Sequence, residues 1–328
     1  MTERTQTDRG HAVPGHAVPG HALQGHVPSQ RAGGTNRRDA LRMLAAAAIG
    51  AAAAGRVGSA AAPAQDSAGQ DRATKDAAGR HERQMQDLQL REGSEKIGIL
   101  LYPGFVSLDA IGPYHVFLNM MGAQVRFIAK TREPVPCEGK SAVTPHATFA
   151  EAKDRLDLLL VPGGMEGTLA AMEDEETLEF LRTHGARDGI VGSVCTGSLV
   201  LAAAGLLEGH RATSHWISRE VLACAGATPV NERFVIDRNR ITGGGVTAGI
   251  DYGLHLVQRW RGDSYAKAVQ MFIEYDPKPP FRSGTPEGAD ADPAMALLLK
   301  SAHEPFNQMA TAAIGRSLGA RKRTSRGS

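Results

Sequence analysis

Between Lys96 and Tyr275, short apolar runs alternate with helix-patterned segments, and most of the runs end in glycine or proline. The run at 96–102 stops at Pro103-Gly104, that at 156–161 at Pro162-Gly163-Gly164, and that at 240–242 at Gly243-Gly244-Gly245. Residues 124–129, 190–194 and 233–236 are runs of the same kind. Apolar stretches this brief suit strands buried on both faces. Helical patterns occupy 109–119, 168–173, 175–184, 199–207, 214–225, 247–259 and 264–275. The alternation predicts an α/β domain over 96–286, a mostly parallel sheet covered by helices on both faces. Ligands in such sheets bind beyond the carboxyl ends of the strands. Asp109, Gly163, Gly164, Cys195 and the three glycines 243–245 all follow strand ends, so they are expected to converge there. The proline-rich run Asp276-Pro277-Lys278-Pro279-Pro280-Phe281 ends this pattern. Residues 287–328 are read as one more helix, at 294–310, and a basic tail frayed beyond about Gly315. No helix-turn-helix pair is read after Pro286.

The first 64 residues read as an address. Asn36-Arg37-Arg38-Asp39-Ala40-Leu41 has the form of a twin-arginine signal, followed by an apolar stretch and small-residue cleavage sites near Ala62 and Ala64. The stretch is too short and too rich in Ala and Gly for a stable membrane anchor. Export to the periplasm or beyond is therefore expected; an uncleaved Ala-rich helix or a disordered tail is the alternative. Ahead of the arginines, His11, His16, His21 and His26 recur five residues apart. That tract fits weak metal binding, a low-complexity leader without function, or a start codon set too far upstream. Residues 65–95 are polar and charged and read as a linker.

The formal charge is +2, but residues 1–64 carry 7 basic and 3 acidic side chains, leaving 30 basic against 32 acidic in the remainder. A body of that charge has no polyanion-binding surface, so nucleic acid is not an expected partner. The three cysteines, Cys137, Cys195 and Cys224, allow a Cys137–Cys224 bridge that would leave Cys195 free.

Cys195 lies in Gly189-Ile190-Val191-Gly192-Ser193-Val194-Cys195-Thr196-Gly197-Ser198, where a strand hands over to a helix. The positive end of the helix dipole favours a nucleophilic thiolate there. The same run also suits a buried structural cysteine. Gly163-Gly164 forms a tight turn; the N–H groups of Gly164 and Thr196 could hold a developing negative charge, or the turn is an ordinary strand-to-helix connection. Asp109 is either a helix N-cap or a carboxyl kept protonated beside the thiol, able to donate a proton near neutral pH. His215 is either a base to Cys195 or a helix-start residue packed on Trp216. Gly243-Gly244-Gly245 is not a dinucleotide fingerprint, and it more simply lets backbone pass close to the pocket. No HxH, HExxH or CxxC spacing suggests a metal.

Taken together, Leu108-Asp109-Ala110-Ile111-Gly112-Pro113-Tyr114, Val161-Pro162-Gly163-Gly164, Ser193-Val194-Cys195-Thr196-Gly197-Ser198, Arg211-Ala212-Thr213-Ser214-His215-Trp216, Ile241-Thr242-Gly243-Gly244-Gly245-Val246-Thr247 and Glu274-Tyr275-Asp276-Pro277 resemble the ThiJ/PfpI members of the class I glutamine amidotransferase-like superfamily. Within it they resemble the isonitrile hydratases. The resemblance implies a flavodoxin-like three-layer αβα sandwich, a homodimer, no cofactor and a small-molecule substrate. It implies a hydro-lyase that adds water to an isonitrile and gives an N-substituted formamide through a cysteine thioimidate. Cys195 falls on the catalytic cysteine, Thr196 on its supporting threonine and Asp109 on the acidic partner, with His215 secondary. The export signal departs from that group. Another ThiJ/PfpI activity, a cysteine hydrolase or a glyoxalase-like enzyme, is the competing enzymatic reading, and a periplasmic thiol or ligand sensor the non-enzymatic one.

Overall fold

The computed structural model describes residues 92–187 and 189–324. The leader at 1–64 and most of the linker at 65–95 lie outside the described residues.

The strands are β1 (Lys96–Leu100), β2 (Gln124–Ala129), β3 (Val135–Pro136), β4 (Ala142–Val143), β5 (Ala147–Thr148), β6 (Leu158–Val161), β7 (Ile190–Ser193), β8 (Arg211–Ala212), β9 (Thr228–Pro229), β10 (Phe234–Asp237) and β11 (Arg240–Gly243). The helices are α1 (Ser107–Leu118), α2 (Met165–Glu173), α3 (Glu175–Gly185), α4 (Gly197–Ala203), α5 (Ala248–Arg261), α6 (Asp263–Phe272), α7 (Pro293–Ala302) and α8 (Glu304–Thr324).

Seven strands make one sheet in the order β10-β11-β7-β6-β1-β2-β5. Every pairing in it is parallel except the edge pair β10 and β11. The central strands are buried along their whole length: Leu158, Leu159, Leu160 and Val161 show at most 1% exposure. Burying each such side chain stabilises the fold by roughly 1.5–3 kcal/mol. Among the helices, α1, α5 and α6 pack together as one group, and α2, α3, α4 and α8 as another. This is the mostly parallel, helix-covered sheet expected from the alternation, and it has the flavodoxin-like three-layer form that the resemblance implied. Strand β1 feeds α1 and then β2 on one side, while β6 lies on the other, so the crevice beyond β1 and β6 is the topological switch point.

Four local expectations change. The helix read at 214–225 is a turn followed by a 3₁₀ segment, Arg219–Ala225. Its start is held by bonds of the i→i+3 kind, Ser218 N–H to His215 O (2.9 Å) and Val221 N–H to Ser218 O (3.1 Å). The single helix read at 294–310 is two, α7 and α8, meeting at His303. Pro305 has no N–H to continue the ladder of α7, but it fits the first turn of α8. The tail read as frayed beyond Gly315 is helical to Thr324 and anchored. Ala310, Ala313 and Ile314 are buried, Arg316 pairs with Glu173, and Ser317 Oγ donates to Ala203 O at 2.9 Å. Finally, Cys137 and Cys224 are both free thiols, one buried and one exposed, so the bridge between them is not formed.

Candidate active site

Cys195 follows β7 by two residues, with Thr196 as the N-cap of α4. Its φ is 56°, in the left-handed region that costs a side-chain-bearing residue roughly 1–2 kcal/mol. The backbone around it is held on three sides. Its N–H is shared between Gly244 O (2.7 Å) and Gly243 O (3.1 Å), at the end of β11. Its carbonyl accepts the hydroxyls of Ser214 (3.0 Å) and Ser198 (3.2 Å). Just before it, Val194 N–H donates to Val161 O at 3.0 Å. The strain is thus imposed by β6, β11 and the segment after β8, and it lifts the side chain off the sheet in the manner of a nucleophile elbow.

Asp109 sits in the first turn of α1 and is fully buried. It is not the N-cap, which is Val106, so its carboxylate is not used in capping. Oδ2 accepts the Gly163 N–H at 2.8 Å, and Oδ1 finds no hydrogen-bond partner among the described residues. Gly163 is where the acid and the elbow meet. A Cβ on it would lie 2.7 Å from both the N and Oγ1 of Thr196 and 2.9 Å from Asp109 Oδ2. Only glycine fits between them. Burial pushes the Asp109 carboxyl up to about 7, against the Gly163 hydrogen bond and with help from the charge of Glu138.

Burial also pushes the Cys195 thiol up, well beyond its ordinary range, and the neighbouring Asp109 charge adds to this. The N–H groups of Thr196 and Val246 and the Thr196 hydroxyl act the other way, toward thiolate. The thiolate expected from the helix dipole is therefore not the resting form. Helix α4 is only seven residues long, and desolvation of the sulfur outweighs its dipole. Cys195 is 7% exposed.

The expected anion-binding pair is also rearranged. Of the expected pair, Gly164 N–H donates to Thr196 Oγ1 at 3.0 Å and is not free for a substrate oxygen, while the Thr196 N–H bears on the sulfur; the neighbouring Gly163 N–H is taken by Asp109. The N–H groups that bear on the sulfur are those of Thr196 and Val246. Thr196 Oγ1 continues into a buried hydroxyl chain, to Thr168 Oγ1 at 2.9 Å and then Tyr102 OH at 3.2 Å, which donates to Pro162 O at 2.6 Å. Val246, Thr168 and Tyr102 were not singled out in the sequence. Val246 directly follows the triple glycine, which is the one signal that would have found it.

Gly243 and Gly244 serve through their carbonyls. Gly245 gives room to His215, whose Cδ2 would lie 3.2 Å from an added Cβ. His215 packs beside Trp216, ring centroids 5.9 Å apart, and its Nδ1 accepts Ile217 N–H at 3.4 Å. Burial holds its pKa down, with a smaller push from His303. No hydrogen bond joins it to Cys195 among the described residues. The geometry is that of a packed histidine at a turn. The strand ends therefore bring together Asp109, Gly163, Cys195 and Thr196, all buried, and leave His215 without a bond to the sulfur among the described residues.

Residues 95–259 match the model of the DJ-1/PfpI family. The chain belongs to the DJ-1/PfpI family. It is 47% identical over 194 residues to an isonitrile hydratase of Pseudomonas putida, covering 59% of this chain and 84% of that protein. The crystal structure of a THiJ/PfpI family protein from Pseudomonas syringae superposes with a TM-score of 0.66 at 45% identity, covering 68% of this chain and 92% of that one. An HTH-type transcriptional regulator of Pseudomonas aeruginosa, GbdR, is 30% identical over 188 residues, which are 55% of this chain and 50% of the regulator.

Proposed function

We propose that this DJ-1/PfpI protein is an isonitrile hydratase: it adds water to R–N≡C and releases R–NH–CHO, using Cys195 as nucleophile and Asp109 as proton donor. What carries the reading is a buried thiol that lies within reach of the charge of a buried carboxyl, Asp109, whose pKa burial pushes up to about 7. The terminal carbon of an isonitrile takes a proton and a nucleophile at the same atom. A site for it needs one acid and one nucleophile aimed at one point, without a separate oxyanion hole.

In the first step Asp109 gives its proton to the terminal carbon, and Cys195 Sγ bonds to that carbon as the thiol proton passes to the Asp109 carboxylate. The triple bond becomes the double bond of a thioimidate, Cys195–S–CH=N–R. Water then adds its oxygen to the carbon and a proton to the nitrogen. Collapse of S–CH(OH)–NH–R breaks the C–S bond, returns the hydroxyl proton to sulfur and frees the formamide. Asp109 begins and ends protonated. Two adjacent buried anions would repel each other, so a neutral thiol beside a neutral acid is the resting state this site favours. Thr196 holds the sulfur through its N–H and hydroxyl.

The test is incubation of the purified chain with cyclohexyl isocyanide, with formamide scored by mass spectrometry. Turnover is expected, with kcat/KM falling as pH rises through about 7 because the active Asp109 is the protonated one. Cys195→Ala is expected to give none above background. No turnover by the native protein, or undiminished turnover by Cys195→Ala, contradicts the reading. The likeness to a transcriptional regulator supports a ligand- or thiol-sensing role as the second reading. Rapid peroxide oxidation of Cys195 in a protein that turns over no isonitrile would favour it, although the buried thiol works against such oxidation.

A further inference from the structure

Helix α1 begins without a cap of its own. Val106, at the N-cap, has no side-chain acceptor, and the carboxylate of Asp109 in the first turn is spent on Gly163. The exposed first N–H of the helix is instead taken by a residue from another part of the chain. Glu138 Oε2 accepts Ser107 N–H at 2.6 Å, and Oε1 accepts Ser107 Oγ–H at 2.7 Å. Glu138 sits at the turn of the β3–β4 hairpin, where Gly139 and Lys140 have φ of 69° and 67°. The hairpin is docked on the segment before α1: Gly104 N–H donates to Pro136 O (2.8 Å), Glu138 N–H to Phe105 O (3.2 Å), and Phe105 forms a bridge with Cys137. The adjoining Val106 N–H donates to Gly163 O at 2.8 Å, which ties this same segment to the strand end carrying the Asp109 partner.

Resting on the hydratase reading above, we propose that Glu138 is a positioning residue for Asp109: it caps α1 in trans, so that the Asp109 carboxyl is free to face Cys195 with a negative side chain standing at the start of its helix. A residue in the first turn of a helix ordinarily feels the positive end of the dipole, which favours carboxylate. Glu138 neutralises that end while adding a like charge of its own, and both effects favour the acid form of Asp109. The other ionisable groups that feel the Asp109 charge are Tyr102 beyond β1, Cys195 beyond β7 and Tyr252 on α5. All three are phenols or a thiol that burial keeps neutral near pH 7. Burial sets most of the proton affinity of Asp109, and Glu138 is the charged neighbour that adds to it.

The experiment is the pH profile of kcat/KM for cyclohexyl isocyanide in the full chain, compared among the native protein, Glu138→Gln and Glu138→Asp. Glu138→Gln keeps an acceptor for Ser107 and removes the charge, so the alkaline limb should move to lower pH. Glu138→Asp keeps the charge with a shorter reach and should lower kcat while leaving the limb near its native position. A Gln variant that loses activity equally at every pH, with its limb unmoved, overturns the proposal and leaves the hydratase reading intact. A native protein with no alkaline limb near neutral pH sinks the general-acid role itself. Should Glu138→Gln fail to fold, the native profile in rising salt replaces it. Glu138 is exposed and screenable whereas Asp109 is not, so the limb should shift toward acid, and a fixed limb overturns the proposal.

Discussion

At Asp109 a carboxyl is kept out of water with a single hydrogen bond to one of its two oxygens. Such a group binds its proton more tightly in the folded chain than in the unfolded one. Stability is therefore full below the unfolded value, near 4, declines as pH rises toward about 7, and levels off above it. The loss is on the order of 4 kcal/mol at most. Asparagine keeps an acceptor for Gly163 and has no proton to lose. Asp109→Asn should thus melt higher than the native protein above about pH 8, and the advantage should vanish toward pH 4. Thermal melts across that range check it; a constant difference at all pH values would mean that Asp109 does not titrate as its burial implies. The positions of Cys195 and Asp109 were legible from residues that follow strand ends. A carboxyl on Asp109 that holds its proton was one of the two readings its position allowed, whereas the raised thiol of Cys195 and the charge of Glu138 were not foreseen, because they depend on burial and on a hairpin with no local signal linking it to Asp109.

The strands and helices of the sheet were legible because each apolar run is punctuated by glycine or proline. The C-terminal segment was not. Phe306, Ala310, Ala313 and Ile314 form a helical stripe that is buried in α8, but small residues and the basic Arg321-Lys322-Arg323 run disguise it as a fraying tail. The two-turn helix that follows Cys195 leans on this stripe. Arg321 Nη1 reaches Ala204 O at 3.2 Å, and Ser317 reaches Ala203 O, so α8 supplies partners for the last carbonyls of α4. Ile314 is 0% exposed, and Ile314→Ala should destabilise the fold by about 2–4 kcal/mol, read as a lowered Tm or denaturant midpoint. An unchanged midpoint would return the segment to the status of a loose tail. The 3₁₀ segment Arg219–Ala225 was misread for a different reason: its apolar spacing suits a helix, while its hydrogen bonds are set by the turn at Ser218.

For the molecule as a whole, we propose a homodimer. Leu108 and Ile111, 41% and 42% exposed, flank Asp109 on the outer side of α1, and Leu297, Leu298 and Leu299 lie open on α7. Exposed apolar side chains of this kind are what a partner subunit would cover. Light scattering should then give twice the 34.7 kDa of the full chain, or twice the processed mass if the leader is removed, and a strict monomer would contradict the proposal. Among the described residues no helix is long and apolar enough to cross a membrane. The family membership accounts for the sheet, while the proposed chemistry rests on a bond that would form and break at one sulfur. That bond is open to direct observation. Acid quenching of the protein during turnover of cyclohexyl isocyanide, followed by peptide mass spectrometry, should find the thioimidate, or its formyl hydrolysis product, on the peptide containing Cys195. Steady formamide production with that peptide always unmodified would contradict covalent catalysis by Cys195.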